Sequence, residues 1–302
     1  MAAKAIDYVL PIVNHRDKLW QRDFQKALFR AGVNQFSAGS RWRTWFTEKY
    51  IFRGIEENMP WIRKIHVLVA RESQVPKWLD TDKVHVVYHR DIMPAKFLPT
   101  FNSQSFEMFL KNIPGLAEQF IYSNDDMFPL SPLKRTDFYK FGKPCLHHDK
   151  RVWTALDTGI YRHVCRQSLH LVAKDFGVDF GEYWLKDAHG LSPMLLSTHE
   201  KVWELHEEEL MASPTPFRSR RNYNQYLFNY YQHLSGQYVD STPPTKYVDS
   251  KKPVKDVCDM ILHGDGVFIL NDCGSGEEWS RYRDQVIKAF EERFPNKSKY
   301  EI

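Results

Sequence analysis

The sequence predicts an α/β protein with a largely parallel sheet. Short apolar segments rich in β-branched residues alternate with longer segments in which apolar residues recur at helical spacing. Such alternation is typical of parallel strands joined by crossover helices. Polar or acidic residues also follow the predicted strands directly, and ligands of open α/β sheets gather at the carboxyl ends of strands. The chain of 302 residues is long enough for one large domain or two modest ones.

The first half of the chain has the clearest alternation. Its first apolar segment, IDYVLPIV, is followed at once by Asn14-His15-Arg16-Asp17, which predicts a strand that ends in a polar loop. Apolar residues then recur at helical spacing, and Pro60 closes the second segment of this kind. The pattern predicts strands at residues 6–13, 65–69, 84–88 and 120–123, and helices at residues 17–29, 41–58 and 103–112.

The second half of the chain is less regular and is predicted to be mostly helical over residues 141–253. Three prolines among Ser, Thr and Lys predict a surface loop at residues 241–253. We predict a single domain, with an α/β core formed by residues 1–140 and 254–302 and a mostly helical insertion between them. The remaining elements are helices at residues 188–209, 222–236 and 279–294 and a strand at residues 267–270.

The composition favours an anionic small ligand over nucleic acid. The net charge is +4, and Lys and Arg are spread along the chain instead of being gathered in a tail. The four cysteines show no CxxC spacing, which argues against a zinc knuckle or a disulfide framework and indicates a reducing compartment. No segment has the features of a signal peptide or the roughly 20 apolar residues of a membrane span. We expect a cytoplasmic protein, and peripheral association with the inner face of the membrane remains open.

An acidic pair, Asp125-Asp126, directly follows the strand predicted at residues 120–123. Neighbouring carboxylates repel one another, so this placement is costly unless a cation or hydrogen-bond donors offset the repulsion. Mg²⁺ does so while it bridges to phosphate oxygens. Together with Asn124, the pair therefore points to a nucleotide diphosphate. The alternative is a simple turn before Pro129, since Asn and Asp are common turn formers.

A basic cluster precedes the helix predicted at residues 222–236. Arg218, Arg220 and Arg221 would offer guanidinium groups and backbone donors to a phosphate near that helix start. A solvated basic loop is the alternative interpretation.

Two histidines, His189 and His199, are candidates for a general base, because the histidine pKa lies near neutrality. Their spacing fits no standard metal motif, and the local sequence distinguishes neither of them. Asn102-Ser103 would cap the helix that follows, and a ligand could use the same amide and hydroxyl. The sequence contains no GxGxxG, GxxxxGK[ST] or GxSxG motif, so dinucleotide, P-loop and serine-hydrolase chemistry lack their usual support.

Four stretches, in order, resemble the conserved regions of the Stealth proteins. The second and most distinctive region is matched by PWIRKIHVLV, PKWLD, KVHVVYHRDI, LPTFNSQSFE and IPGLAEQFIYSNDDMF. IDYVLPIVNHRD is similar to the first region, AHGLSPMLLSTHEKVWE and FRSRRNYNQYLFNYY to the third, and FILNDCGSGEEWSRYRDQVIKAFEERFPNKSKYE to the fourth. Stealth proteins are sugar-1-phosphate transferases, which include bacterial capsule enzymes and the animal enzyme that tags lysosomal glycoproteins with N-acetylglucosamine 1-phosphate.

The resemblance implies a catalytic domain with a Rossmann-like core, a helical second half packed over the active site, and a divalent metal, Mg²⁺ or Mn²⁺. It implies transfer of a hexose 1-phosphate from a nucleotide sugar, expected to be UDP-linked, in exopolysaccharide or capsule synthesis. The acceptor would be a hydroxyl of a saccharide or lipid-linked saccharide, and nucleic acid would not be a partner. An ordinary nucleotide-sugar glycosyltransferase and a non-catalytic saccharide-binding assembly protein remain the alternatives.

The motif positions carry the site residues of the Stealth proteins over to this chain. They imply catalytic roles for Asp126, His189 and Arg218, with Asp125 and Asp272 as metal ligands. The resemblance also implies substrate binding by Arg41, Arg43, Arg53, Asn224 and Asn271. Further substrate-binding residues are predicted from their places after a strand, at a helix start or in the basic cluster, and they are Asn14, Asp17, Asn102, Ser103, Asn124 and Arg221.

The chain departs from the Stealth pattern at three places. Asn14-His15 stands where Asp-Gly is usual, Thr44 stands where Asp is usual, and Gln104 stands where His is usual. All three departures lie in motifs that carry predicted site residues, so they bear on the identity of the donor.

Overall fold

The computed structural model describes residues 4–32, 43–272 and 278–302, in which helices and strands alternate. The strands are β1 (Ile6–Pro11), β2 (Ile65–Val69), β3 (His85–Tyr88), β4 (Gln119–Tyr122), β5 (Met127–Pro129), β6 (Tyr139–Lys140), β7 (Lys143–Leu146), β8 (His148–Val152), β9 (Tyr183–Asp187), β10 (Ser192–Leu195), β11 (Val239–Asp240), β12 (Thr245–Asp249) and β13 (Val267–Asn271). The helices are α1 (Lys18–Arg30), α2 (Glu48–Asn58), α3 (His89–Ile92), α4 (Ser103–Glu107), α5 (Arg135–Phe138), α6 (Ile160–Ala173), α7 (Leu196–Ala212), α8 (Tyr226–Leu234), α9 (Val254–His263) and α10 (Glu278–Arg293). Short 3-10 helices lie at Glu72–Gln74, Ala95–Phe97, Leu110–Asn112 and Lys174–Phe176.

The strands form sheets of mixed direction. In the largest sheet the strand order is β10-β4-β1-β2-β3, and β1 and β2 run parallel with Tyr8 opposite Ile65. A second sheet has the order β12-β13-β5, in which β12 is parallel and β5 antiparallel to β13. Two smaller sheets have the orders β11-β7-β6 and β8-β9. The predicted α/β class is confirmed, although antiparallel pairs accompany the parallel ones.

The chain forms two compact units, each assembled from three separate segments. Unit I contains the described residues of Met1–Asp7, Val87–Ile121 and Thr136–Thr242. Unit II contains the described residues of Tyr8–Val86, Tyr122–Arg135 and Pro243–Ile302. These bounds differ from the predicted division near residues 140 and 254, because the segment Val87–Ile121 joins the unit formed mainly by the second half of the chain.

Unit II is built around apolar strands and the aromatic face of α2. Strands β2 and β13 are buried almost throughout, which is typical of strands covered on both faces. Tyr50 of α2 stacks on Phe290 of α10 with ring centroids 5.3 Å apart, and Phe128 of β5 lies 4.3 Å from the same ring. Gly54 is needed where α2 packs on β5, because a Cβ there would lie 2.5 Å from the Pro129 carbonyl oxygen. This packing fixes β5, the strand that follows the acidic pair.

Unit I buries polar groups together with apolar ones. The Tyr139 hydroxyl donates to the Phe120 carbonyl at 2.6 Å and accepts from the Met194 backbone N–H at 3.1 Å, so it is satisfied between β4 and β10. His199 is fully buried and stacks on Phe228 with ring centroids 3.5 Å apart. Burial lowers the pKa of His199 to about 3. His199 is therefore a neutral core residue, which removes it from the two candidate histidines of the sequence.

In the N-terminal half the predicted strands and helices are present, most of them with different bounds, and α3 and β5 were not predicted. The helix predicted at residues 41–58 begins only at Glu48, because Phe46 has a φ of 60° and residues 43–47 are not helical; residues 41 and 42 lie outside the described range. The Thr44 hydroxyl accepts from the Phe46 backbone N–H at 3.1 Å, and such a local bond competes with helix formation. The helix predicted at residues 103–112 is divided into α4 and a 3-10 helix.

The prediction that residues 141–253 are mostly helical is wrong, because strands β7 to β12 lie within them. The helix predicted at residues 188–209 begins only after β10, and the loop predicted at residues 241–253 contains β12, which pairs in parallel with β13. The helix predicted at residues 222–236 is the shorter α8. The missed strands include β8 and β12, which expose most of their side chains and so lack the apolar runs by which buried strands are recognised.

Candidate active site

The acidic pair of unit II lies directly after β4, as the sequence predicted, in a turn that leads into β5. The backbone holds this turn on both sides. The Ser123 N–H donates to the Val9 carbonyl at 3.0 Å, and the Leu270 N–H donates to the Asp126 carbonyl at 3.0 Å. The Ser123 hydroxyl also donates to the backbone carbonyl of Asn124 at 2.9 Å, and Asn124 is half-buried. The positions of the two carboxylates are therefore set by β1 and β13.

Burial makes the charged form of both carboxylates costly. It raises the pKa of Asp125 to about 6 and that of Asp126 to about 7, and the charge of Asp125 adds to the effect on Asp126. Within the described residues, Asp126 Oδ1 is buried and has no hydrogen-bond partner. A buried carboxylate oxygen without a donor is the position at which a cation would offset the missing bond.

A third carboxylate near this pair, Glu48, was not predicted from the sequence. It is buried in the first turn of α2 and accepts a hydrogen bond from the Thr44 hydroxyl. Burial raises the pKa of Glu48 to about 7, and the charge of Asp125 contributes. The sequence offered one signal: a Thr and an acidic residue four positions apart, where the Stealth pattern usually has Asp in place of Thr44. This signal was not recognised, because the sequence placed the start of the helix at residue 41 and α2 begins at Glu48.

The residues present fit a hard cation that shares its coordination with a ligand. Among the residues that the structure describes, no three His, Cys, Asp or Glu side chains are grouped so that they could hold a metal ion. Mg²⁺ is commonly bound through one or two carboxylates, with waters and substrate phosphates as the remaining ligands. Asp125 and Asp126 supply that number of carboxylates.

Asp272 and Arg43, predicted as a metal ligand and a substrate-binding residue, contact each other. Nε and Nη2 of Arg43 donate to the two oxygens of Asp272 at 2.8 and 2.7 Å, which is a bidentate ion pair. The guanidinium carbon also lies 4.0 Å from the ring centroid of Trp279. The preceding Asn271 ends β13, and its carbonyl accepts from the Ser250 N–H at 3.0 Å. Arg41, the other predicted arginine of this segment, lies outside the described residues.

The polar loop after β1 forms hydrogen bonds with other groups of the protein. Asp17 caps α1 by accepting from the Leu19 N–H at 2.9 Å, and its second oxygen accepts from Ser73 at 2.6 Å and Gln74 at 2.7 Å. The Gln74 side chain also accepts from the Asn14 N–H at 2.7 Å. These contacts favour a structural role for Asn14 and Asp17 over the predicted substrate-binding role.

Arg53 is likewise engaged by the protein itself. Its Nε and Nη2 donate to the two oxygens of Glu301 at 2.8 and 2.7 Å, and its Nη1 donates to the Phe294 carbonyl at 2.6 Å. The side chains of Arg53 and Glu301 are 8% and 3% exposed. This geometry favours a structural ion pair over the predicted contact with substrate.

Unit I brings together two of the predicted catalytic residues, His189 and Arg218. The Tyr226 hydroxyl lies 3.1 Å from Nδ1 of His189, and Nη2 of Arg218 donates to the Ser103 hydroxyl at 3.0 Å. Burial lowers the pKa of His189; the charge of Asp187 opposes this shift, and that of Arg218 adds to it. His189 and Arg218 are thus within electrostatic reach of each other.

A buried amide pair holds the loop that carries Arg218. Nδ2 of Asn102 donates to Oδ1 of Asn222 at 3.0 Å, and the Ser219 N–H donates to the same oxygen at 2.7 Å. Nδ2 of Asn222 donates to the Ser213 carbonyl at 2.6 Å. Asn102 was predicted to bind substrate, but it is 1% exposed, and its contacts favour a positioning role for Ser103 and Arg218. Asn222 was missed, because its partners are distant in the sequence.

The last two predicted residues of unit I differ in exposure. Asn224 is buried, and its Nδ2 donates to the Cys165 sulfur at 3.6 Å. Arg221 is exposed, and its backbone N–H donates to the Ser219 hydroxyl at 3.1 Å. Exposure leaves Arg221 accessible to an anionic ligand.

The fold and the site together define an α/β protein with a carboxylate pair at the end of a strand. Residues 41–145, which include that pair, match the family model described as Stealth protein CR2, conserved region 2. The predicted resemblance to the Stealth proteins is confirmed, and the chain carries the second conserved region of that family.

Similarity to named relatives extends over nearly the whole chain. A receptor polysaccharide phosphotransferase of Streptococcus gordonii is 28% identical over 98% of this chain and 99% of its own length. A capsular polysaccharide phosphotransferase of Streptococcus pneumoniae is 28% identical over 98% of both chains. An exopolysaccharide phosphotransferase of Lactiplantibacillus plantarum is 29% identical over 98% of this chain and 96% of its own length. A solved glycosyltransferase involved in glycosylation of the major capsid of PBCV-1 gives a TM-score of only 0.36, at 11% identity over 95% of this chain and 98% of that one.

The raised pKa values of the acidic site predict how the stability of the metal-free protein depends on pH. Asp125, Asp126 and Glu48 bind protons more tightly in the folded state than in the unfolded one, so they destabilise the fold as pH rises from about 4 to about 7. The melting temperature of the wild-type protein should therefore fall between pH 5 and pH 8. In Asp126→Asn we expect this fall to be smaller by about 2 °C or more, which corresponds to roughly 1 kcal/mol in the free energy of unfolding. Calorimetry in a chelating buffer measures this difference. Equal falls in the two proteins would contradict it.

Proposed function

We propose that this protein transfers a hexose 1-phosphate from a nucleotide sugar to a saccharide hydroxyl, and so forms a phosphodiester in exopolysaccharide or capsule synthesis. The observation that carries the proposal is the half-buried pair Asp125-Asp126, in which Asp126 Oδ1 is buried without a hydrogen-bond partner among the described residues. The pair lies in the stretch that matches Stealth conserved region 2. The names of the full-length relatives favour phosphoryl transfer over ordinary sugar transfer.

In this reaction the acceptor oxygen forms a bond to the phosphorus that carries the sugar, and the hydroxyl proton passes to a base or to water. The bond from that phosphorus to the oxygen of the nucleoside monophosphate breaks, and the monophosphate leaves with the electron pair. Such transfers are accelerated mainly by positioning and by stabilisation of charge. The donor is expected to be UDP-linked.

In unit II, Asp125 and Asp126 would hold Mg²⁺ or Mn²⁺, which supplies positive charge to the diphosphate when it is bound. Asp272 is a further candidate ligand, and its carboxylate is paired with Arg43. A phosphate group would compete with Asp272 for the guanidinium group of Arg43, because a phosphate and a carboxylate can each accept two hydrogen bonds from one guanidinium group.

In unit I, we assign Arg218 to the stabilisation of phosphate charge and His189 to proton handling. The guanidinium group of Arg218 is oriented by Ser103, and the imidazole of His189 is oriented by Tyr226. His189 serves either as the base that accepts the hydroxyl proton or as a hydrogen-bond donor to a phosphate oxygen. Arg221 and Asn224 remain proposed substrate-binding residues.

We infer that the reaction takes place in the cytoplasm, on a saccharide or lipid-linked saccharide at the inner face of the membrane. Cys145, Cys165 and Cys258 are free thiols, which agrees with a reducing compartment. Among the described helices, none has both the length and the apolar character that crossing a bilayer requires. We propose that attachment to the membrane is peripheral, and sedimentation with vesicles would test it.

The product distinguishes the proposed reaction from its alternatives. We expect the wild-type protein, incubated with a panel of UDP-sugars, Mg²⁺ and a saccharide acceptor, to release UMP and to form a phosphodiester that ³¹P NMR detects. Asp126→Asn is the matched control. Release of UDP without a phosphodiester would indicate an ordinary glycosyltransferase. Binding of the nucleotide sugar without turnover across the acceptors would indicate a non-catalytic assembly protein.

A further inference from the structure

The segment that carries His189 is attached to α8 by hydrogen bonds in register. The helix residues stand at positions i, i+3 and i+4, which share one helix face. Their partners are every second residue from Leu185 and Asp187, on one face of β9, to His189, which lies two residues beyond the end of that strand. The pairs are Tyr226 with His189 (3.1 Å), Asn229 with Asp187 (2.9 Å) and Tyr230 with Leu185 (2.6 Å). We call these three pairs the α8–β9 seam.

Tyr226 is buried, so the proton of its hydroxyl needs an acceptor inside the protein. Burial raises the pKa of Tyr226 well above its ordinary value, and the hydroxyl therefore keeps its proton. The acceptor that the seam offers it, at 3.1 Å, is Nδ1 of His189.

We propose that Tyr226 is a positioning residue that fixes His189 as the tautomer with its proton on Nε2. In that tautomer His189 donates a hydrogen bond to a phosphate oxygen and does not act as the base for the acceptor hydroxyl, whose proton passes to water. The inference rests on the proposed function for its ligand, a phosphate ester, and it decides between the two roles left open there.

The surroundings of His189 make the choice of tautomer matter. Burial lowers its pKa, Asp187 opposes that shift, and the positive charges of Arg218 and Lys186 add to it. A neutral imidazole carries a single proton, and its position determines which nitrogen donates and which accepts. With Nδ1 accepting from Tyr226, the donor is Nε2.

Nitrogen-15 NMR of the imidazole tests the tautomer on the full chain without any turnover. We expect the wild-type protein to show His189 protonated on Nε2 alone. Tyr226→Phe should show a mixture of the two tautomers, because the donor to Nδ1 is lost. The matched control is Tyr230→Phe, which loses the hydroxyl of the same seam one helical turn away and should keep the wild-type tautomer.

A proton on Nδ1 in the wild-type spectrum would overturn the proposal, and so would an equal change in the two phenylalanine variants. The wild-type spectrum decides by itself if a variant does not fold. Because NMR detects the tautomer without substrate, failure of this inference is distinguishable from failure to form a phosphodiester.

Substitutions at His189 test the donor role by activity. A glutamine amide can donate from a position close to that of Nε2 but cannot act as a base at neutral pH. We therefore expect His189→Gln to retain a kcat roughly tenfold above that of His189→Ala, with similar KM values for the donor. Equal kcat values for the two variants would overturn the donor role. In Tyr226→Phe we expect kcat to fall by about ten- to a hundredfold, as is typical when a group that orients a functional histidine is removed.

Discussion

Replacing Asp126 with asparagine is expected to lower the rate of sugar-phosphate transfer by roughly a hundred- to a thousandfold, while the protein remains folded. The amide has nearly the same shape as the carboxylate, but it carries no charge to bind a cation. The backbone bond from Leu270 to the Asp126 carbonyl does not involve the side chain and is retained. Release of UMP, measured at saturating Mg²⁺ and donor, gives kcat for the variant and the wild type.

An exposed aspartate of the same unit supplies the control for this experiment. Asp82→Asn removes one negative charge from the surface of unit II and should leave kcat unchanged. A wild-type rate in Asp126→Asn would contradict the assignment of the acidic pair to the cation. Loss of activity together with loss of the folded state would instead reflect a structural role, and the melting temperature separates these cases.

The acidic pair could be predicted from the sequence because its evidence is local. A buried strand, a polar turn and two adjacent carboxylates stand within eight residues of the chain, and the Stealth pattern names the same positions. Glu48 was missed for a related reason: its role depends on where α2 begins, and the hydrogen bond between Thr44 and Phe46 moves that start beyond the predicted residue.

The α8–β9 seam and the Asn102–Asn222 contact could not be predicted, because their partners are far apart in the sequence. Tyr226 lies 37 residues from His189, and Asn222 lies 120 residues from Asn102. Periodicity reports which face of an element is buried, but it does not report which polar groups meet on that face. The exposed strands β8 and β12 were missed because their pairing comes from backbone hydrogen bonds, which leave little trace in the side chains.

Unit II shows why a motif position does not by itself define a ligand contact. Asp17 and Arg53 were predicted as substrate-binding residues, yet their polar atoms are occupied by bonds within the protein. Arg43 and Asp272 are also paired, but with each other, so a phosphate and a cation could replace the two partners at once. The Arg43–Asp272 pair differs from Asp17 and Arg53 in that an anionic ligand could bind the arginine while a cation binds the aspartate.

Arg53→Ala is expected to lower the free energy of unfolding by about 3–5 kcal/mol, because it leaves the buried Glu301 carboxylate without its charge partner. Burial alone would raise the pKa of Glu301, but the hydrogen bonds from Arg53 hold that pKa below its ordinary value. Urea denaturation measures the loss. Lys49→Ala is the control on the same helix, since Lys49 forms a longer, more exposed ion pair with Glu291 and should change stability by less than about 1 kcal/mol.

A double variant separates a structural role of Arg53 from a role in binding. Arg53→Met combined with Glu301→Leu removes both charges and keeps much of the apolar volume, so it should recover most of the stability lost in Arg53→Ala. Recovery of stability with an unchanged KM for the donor would establish that the pair serves the fold. A raised KM in a variant of wild-type stability would return Arg53 to the substrate-binding role that the sequence motif implied, because only a ligand contact could then account for the loss.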